Sequence, residues 1–192
     1  MSGADTGGLF PVILAVPEDQ RLPRGREQVK SLSALARQAL QISADRSGHV
    51  LGDLQKETNG RPLPSRGIYW SLTHKPRYVA AVCAPFAVGI DIEQIKPVKP
   101  ALFAKVASEA EWQMMGRSEA AFFRAWTAKE AVVKAEGVGF AGFNHCRITG
   151  MPSQRQMSLI YHNRSYRIVF TRHDGHWAAV TAGNWRCRWV LR

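Results

Sequence analysis

Apolar and polar positions divide the 192-residue chain into strand-like and helix-like stretches. Residues 9–16 are almost continuously apolar and end at Pro17, which predicts a first strand. Between 24 and 42, Val29, Leu32, Leu35, Ala36, Ala39 and Leu40 recur at helical spacing, with Arg24, Arg26, Lys30 and Arg37 off or beside that stripe. This predicts an amphipathic helix with a basic start. Residues 53–66, with Asn59-Gly60 and Arg61-Pro62-Leu63-Pro64, predict a loop. Three strand-like runs follow at 68–72, 78–84 and 87–93, the last two expected to pair around Pro85-Phe86. Lys96-Pro97-Val98-Lys99-Pro100 breaks the pattern and predicts a linker. Helices are expected at 102–115 and 118–136, the second closed by Gly137 and Gly139. Further strands are expected at 157–161, 166–171, 176–182 and 185–191. Ala80-Ala81-Val82-Cys83-Ala84 is echoed 98 residues later by Ala178-Ala179-Val180-Thr181-Ala182, a hint of two similar halves.

A hydrophobic content of 45% and six tryptophans fit a folded globular chain. Charge narrows the choice of partner: 26 Lys plus Arg against 15 Asp plus Glu give a formal +11, which calls for an anionic partner. Nucleic acid, a phosphorylated small molecule, an acidic protein and a membrane surface all qualify. Cys83, Cys146 and Cys187 are odd in number and widely spaced, which supports neither a disulfide framework nor a cysteine zinc site and favours a reduced compartment. No basic run precedes an apolar core at the N-terminus, and no stretch approaches the roughly 18 apolar residues of a membrane span. The expectation is a soluble, cytoplasmic protein.

Candidate chemistry centres on residues 122–134. At 3.6 residues per turn Phe123, Trp126, Glu130, Val133 and Gly137 share a stripe, placing a carboxylate among bulky apolar groups. A buried carboxylate is costly unless paired, so Glu130 is expected to have a cation: Lys134 one turn later, a metal ion, or both. In Gly89-Ile90-Asp91-Ile92-Glu93 the period of two puts Asp91 and Glu93 on one strand face. Such an oxygen-rich pair suits Mg²⁺, although a D-x-E on a strand is by itself more often an exposed polar face. Likewise Glu130 and Lys134 alone fit a surface ion pair. His74, expected just before a strand, could donate to a phosphate.

Together these residues resemble the 4′-phosphopantetheinyl transferases of the surfactin-synthetase-activating type, a monomeric class built from two similar halves. The resemblance covers roughly residues 24–140. It rests on Asn59-Gly60-Arg61-Pro62, Ser71-Leu72-Thr73-His74, Gly89-Ile90-Asp91-Ile92-Glu93 and Trp126-Thr127-Ala128-Lys129-Glu130-Ala131-Val132-Val133-Lys134, with 17 residues from His74 to Asp91. Thr73 departs from the serine of most relatives while keeping the hydroxyl.

The resemblance implies an α+β pseudo-dimer, each half an antiparallel sheet packed on helices, divided as 1–94 and 95–192, with the active site in the cleft between them. It implies holo-acyl-carrier-protein synthase activity: transfer of the phosphopantetheine arm of coenzyme A to a serine of an acidic acyl- or peptidyl-carrier protein, releasing adenosine 3′,5′-bisphosphate. Asp91, Glu93 and Glu130 would hold Mg²⁺. Lys134 would add positive charge at the pyrophosphate, while Arg61, Thr73 and His74 would contact coenzyme A phosphates and Arg26 and Lys30 the 3′-phosphate. Glu111 and Glu130 compete as the base that deprotonates the serine. The alternatives are a basic nucleic-acid-binding module, against which the three carboxylates argue, and a non-catalytic relative that binds coenzyme A or a carrier.

Overall fold

The computed structural model describes residues 8–192. In chain order the strands and helices are β1 (Gly8–Leu9), β2 (Val12–Ala15), α1 (Arg26–Ser47), β3 (Tyr69–His74), β4 (Tyr78–Ala84), β5 (Ile90–Gln94), α2 (Phe103–Val106), α3 (Glu109–Met115), α4 (Glu119–Glu136), β6 (Cys146–Ser153), β7 (Gln156–Tyr161), β8 (Arg164–His173), β9 (His176–Thr181), β10 (Arg186–Cys187) and β11 (Val190–Leu191). The fold is mixed α+β. A four-stranded sheet runs β11-β2-β4-β3, a five-stranded sheet runs β5-β9-β8-β7-β6, and β1 pairs with β10.

Helix α1 buries Leu32, Ala36, Ala39, Leu40 and Ala44 against Val12, Leu14, Val79, Ala81 and Cys83 on one face of the four-stranded sheet. The other face of that sheet presents Ile13, Ala80, Val82 and Ala84, which share a core with Ile90, Ile92, Ala178, Val180 and Ala182 of the second sheet. Because β4 is covered on both sides, all seven of its residues are buried. That explains its unbroken apolar run. The two echoed pentapeptides therefore meet face to face in one core. Beyond them, α4 packs Phe122, Ala125, Ala128, Val132 and their neighbours on Met157, Leu159, Ile168 and Phe170 of the five-stranded sheet.

Several expectations need correction. β4 and β5 do not pair: β4 lies between β2 and β3, whereas β5 is antiparallel to β9, so residues 85–89 carry the chain between sheets. β5 thus joins the five-stranded sheet with β6 to β9. In return, β11 pairs with β2. Strand β3 runs on to His74, beyond the expected end at residue 72, so His74 both ends β3 and precedes β4. The helix expected over 102–115 is broken at Ala107, which is extended, and restarts at Ser108, whose side chain and Glu111 form a reciprocal capping box. The first strand divides at Phe10-Pro11, and the last one divides likewise. Strand β6 had no clear period in the sequence; its ladder with β7 has register shifts between Ile148 and Ser153. Val29 is half exposed, and α1 continues to Ser47, ending at left-handed Gly48 (φ 68°).

Gly89 fixes how closely β5 approaches α4. A Cβ built there would lie 1.9 Å from the carbonyl oxygen of Ala131 and 2.7 Å from the amide of Ala135. Helix backbone cannot yield as a flexible side chain would. Gly89→Ala is therefore expected to destabilise the fold by about 1–3 kcal/mol or more, read as a lowered urea midpoint; an unchanged midpoint contradicts this packing.

Candidate functional site

The tight approach of β5 to α4 brings charged groups from three elements together. On β5, Ile90 and Ile92 face the inter-sheet core, and Asp91 and Glu93 face α4 and the end of β3. Asp91 is 3% exposed. Its Oδ1 accepts from Thr73 Oγ1 (2.9 Å) and from Lys134 Nζ (2.7 Å), and Lys134 also donates to the Ile90 carbonyl (3.2 Å). Its Oδ2 is buried without a partner. Lys134 thus pairs with Asp91 and not with Glu130, contrary to the local i, i+4 expectation. The more deeply buried carboxylate gains more from an ammonium group.

Glu130 lies half-buried on α4 and forms no ion pair among the described residues. Burial, then repulsion from Asp91, pushes its carboxyl above the usual range, with Lys134 opposing. Glu93 is also pushed up, first by burial and then by Asp91, although Lys75 Nζ sits 2.7 Å from its Oε1. His74 is held below its ordinary value by burial and by Lys134, Lys75 and Lys56, so the free site keeps a neutral imidazole among three ammonium groups.

Thr73, His74, Lys75, Asp91, Glu93, Trp126, Glu130 and Lys134 line one depression. An adjoining cavity of about 270 Å³ shares Leu72, Glu130 and Lys134 with it and is walled by Lys56, Arg61, Trp70 and Phe140. Arg61 reaches it through a tight turn. Gly60 is left-handed (φ 87°), the Arg61 amide donates to Asn59 Oδ1 (2.8 Å), and the Arg61 stem lies against Gly137 at the C-terminal end of α4.

The remaining sequence candidates fall elsewhere. Arg26 and Lys30 are exposed on α1 and line neither depression. Glu111 is 5% exposed. Its Oε2 accepts from the Ser108 amide (2.7 Å), and its Oε1 accepts from the Ile148 amide (2.7 Å) and lies 3.2 Å from Lys129 Nζ. Burial alone would raise its pKa, but the Ile148 and Ser108 amides, with Lys129, more than offset this and hold the carboxyl low. Such a group is a poor proton acceptor. Conversely, Lys56 and Lys75 were not singled out from sequence, since a lysine in a loop or turn carries no positional signal.

A divalent cation suits these residues on two counts. Asp91 Oδ2 is an orphaned buried acceptor, and Glu93 and Glu130 are carboxylates whose charge is poorly stabilised. Among the described residues no three His, Cys, Asp or Glu side chains already converge as a coordination shell. Lysine ammonium groups hold Asp91 Oδ1 and Glu93 Oε1 instead.

Comparison with known proteins adds an independent line. Residues 87–187, more than half of the chain, match the family model described as the 4′-phosphopantetheinyl transferase superfamily. Over 94 residues the chain is 34% identical to 4′-phosphopantetheinyl transferase psf-1 of Bacillus pumilus, covering 45% of this chain and 40% of that protein. Over 90 residues it is 28% identical to 4′-phosphopantetheinyl transferase gsp of Aneurinibacillus migulanus, covering 44% and 38%. The matched segments thus span less than half the length of these curated relatives.

Two stability measurements test the geometry. Glu111→Ala leaves Lys129 buried without its carboxylate and is expected to cost about 3–5 kcal/mol, seen as a large fall in the urea midpoint. A midpoint within experimental error of the parent contradicts the structural role. Glu130 has a folded-state pKa above its unfolded one, so its contribution favours the fold below the unfolded value and is lost as pH rises through the folded value. Glu130→Gln should therefore raise the midpoint at pH 7 in chelator-treated buffer. The gain should vanish at pH low enough to protonate the parent carboxyl, and a loss at pH 7 contradicts the repulsion.

Proposed function

Because the chain belongs to the 4′-phosphopantetheinyl transferase superfamily, we propose that it transfers the 4′-phosphopantetheine group of coenzyme A to a serine of an apo acyl- or peptidyl-carrier protein. The activity is that of a holo-acyl-carrier-protein synthase dependent on Mg²⁺. The serine oxygen forms a bond to the pantetheine-side phosphorus, the P–O bond to the other phosphate breaks, and adenosine 3′,5′-bisphosphate leaves. Asp91 carries this reading: a carboxylate 3% exposed, with one oxygen held by Thr73 and Lys134 and the other unpartnered beside two further carboxylates.

Asp91, Glu93 and Glu130 would hold the Mg²⁺. Bound there, the ion would neutralise charge developing on the leaving phosphate. Lys134 adds positive charge on the same side of the cleft. Thr73 orients Asp91, and His74, neutral in the free site, can take up a proton and donate to a phosphate that offsets the lysines around it. Arg61 and Lys56 supply cations to the adjoining cavity, whose Trp70 wall suits a flat heteroaromatic ring. For the serine proton we favour Glu130 over Glu111: Glu130 lines the cleft and would have to serve as cation ligand and base together, whereas both oxygens of Glu111 are taken by backbone amides and Lys129. Arg26 and Lys30 are retained only as an exposed basic approach to the 3′-phosphate.

We further read the molecule as a pseudo-dimer with its active site between the halves. The shared core of β4 and β9 and the outer helices α1 and α4 support this. The hydrogen bonding of β5 favours a boundary within 85–89 rather than after 94. An acidic carrier fits the formal charge of +11. No helix among the described residues is long and apolar enough to cross a membrane. We propose a monomer working in the cytoplasm.

Incubation with coenzyme A, Mg²⁺ and a panel of apo carriers should add the mass of one phosphopantetheine group to at least one carrier; no gain on any, with a known transferase active alongside, overturns the reading. On a responsive carrier, Glu130→Ala should lower turnover by roughly 10²–10³-fold. His74→Ala should raise the KM for coenzyme A more than it lowers kcat, and an unchanged KM removes the phosphate contact.

A further inference from the structure

Lys75 stands at the mouth of the cleft in the turn between β3 and β4. The turn itself is held firmly. The Lys75 amide donates to the Tyr78 carbonyl (2.7 Å) and the Tyr78 amide donates back (3.3 Å). Arg77 pairs with Asp174 (2.6 Å), and the Tyr78 hydroxyl donates to the same carboxylate (2.9 Å). From this fixed base a flexible four-carbon stem carries the Lys75 ammonium to Glu93 Oε1, 2.7 Å away, with the lysine side chain 32% exposed and that of Glu93 14%. The ammonium therefore occupies one of the two oxygens that Glu93 could offer a metal ion, and it has solvent-side room to leave.

The charges show why the contact matters. Asp91, Glu93 and Glu130 supply three negative charges to one depression, and Lys75 and Lys134 return two positive ones. A divalent cation alone tips the balance positive and competes with the Lys75 ammonium for Glu93, leaving that ammonium with a weakened counter-ion. If a diphosphate arrives with the cation, the released ammonium has an anion within the same depression. Either ligand alone is thus disfavoured relative to the two together, and by linkage each raises the affinity for the other by the same factor.

We propose that Lys75 is a mobile counter-charge, passed from Glu93 to the substrate diphosphate when a divalent cation takes Glu93, and that this exchange couples cation binding to coenzyme A binding. The proposal rests on the transferase reading of the cleft. Lys75 is a positioning residue: it acts through Glu93 and the bound phosphates, and moves no proton.

The test is the dissociation constant of Mn²⁺, read by electron paramagnetic resonance of the free ion, with and without saturating coenzyme A and no carrier present. In the parent protein coenzyme A should tighten Mn²⁺ by roughly 5–150-fold, the usual range of coupling between sites. Lys75→Met keeps much of the stem and removes the charge. It should tighten Mn²⁺ in the absence of coenzyme A and cut the coupling by about tenfold, a drop within that range. Lys75→Arg, which keeps the charge, should restore most of it, and melting curves establish that both variants are folded. If Lys75→Met retains the parental coupling, or the parent shows none, the exchange is overturned while the transferase reading stands. If the folded parent binds neither Mn²⁺ nor coenzyme A, both fall.

Discussion

The contact on which the site depends is the one between Lys134 and the buried carboxylate of Asp91. It joins the last turns of α4 to the middle of β5, and Thr73 adds the end of β3 to the same oxygen, so one carboxylate ties together elements of both sheets. The contact forms only because Gly89 lets β5 come against the backbone of α4. Packing and electrostatics are therefore not separable here: a single absent Cβ sets the distance at which the charges meet. Removing either charge would leave the other stranded in a poorly solvated place.

Around that contact the molecule leaves acidity incompletely neutralised. Glu93 has Lys75, Asp91 has Lys134 on one oxygen only, and Glu130 has neither. The raised carboxyls of Glu93 and Glu130 destabilise the folded chain at neutral pH, and such groups beside a buried aspartate suit a cation supplied from outside. Glu111 is the contrasting case in the same half of the chain. Two backbone amides and Lys129 satisfy its oxygens, its pKa is depressed, and it holds α3 to β6. Two glutamates that look equivalent as candidate bases are separated by their surroundings.

Much of this was legible in the sequence where the period is short and local. The alternation in 89–93 set Asp91 and Glu93 on one face, and helical spacing put Glu130 and Lys134 on one side of α4. The illegible parts are tertiary. The spacing of Glu130 and Lys134 leaves Lys134, a metal ion or both as the cation of Glu130, and says nothing of the buried aspartate on another element that Lys134 meets. An apolar run such as 78–84 reveals burial but not which neighbour provides it, so β4 was paired with β5, the next strand in the chain, when residues 85–89 in fact cross to the other sheet. Strand β6 escaped because its register shifts erase the period of two. Lys75 and Lys56 escaped because a cation in a turn is defined by what lies opposite it. Asp91, Glu93, Glu130 and His74, which the family resemblance groups together, line one depression; Glu111, which the resemblance also offers as a base, has both oxygens in buried hydrogen bonds and an ion pair.

The proposed function requires that carboxylates on β5 and α4 share one cation. The most direct measurement is anomalous scattering from a crystal grown with Mn²⁺ and coenzyme A. One strong peak within coordination distance of Asp91 and Glu130, with Lys75 turned away from Glu93, is the predicted result. A peak elsewhere, or a cleft in which Lys75 and Lys134 still hold the two carboxylates and no metal is bound, would contradict it.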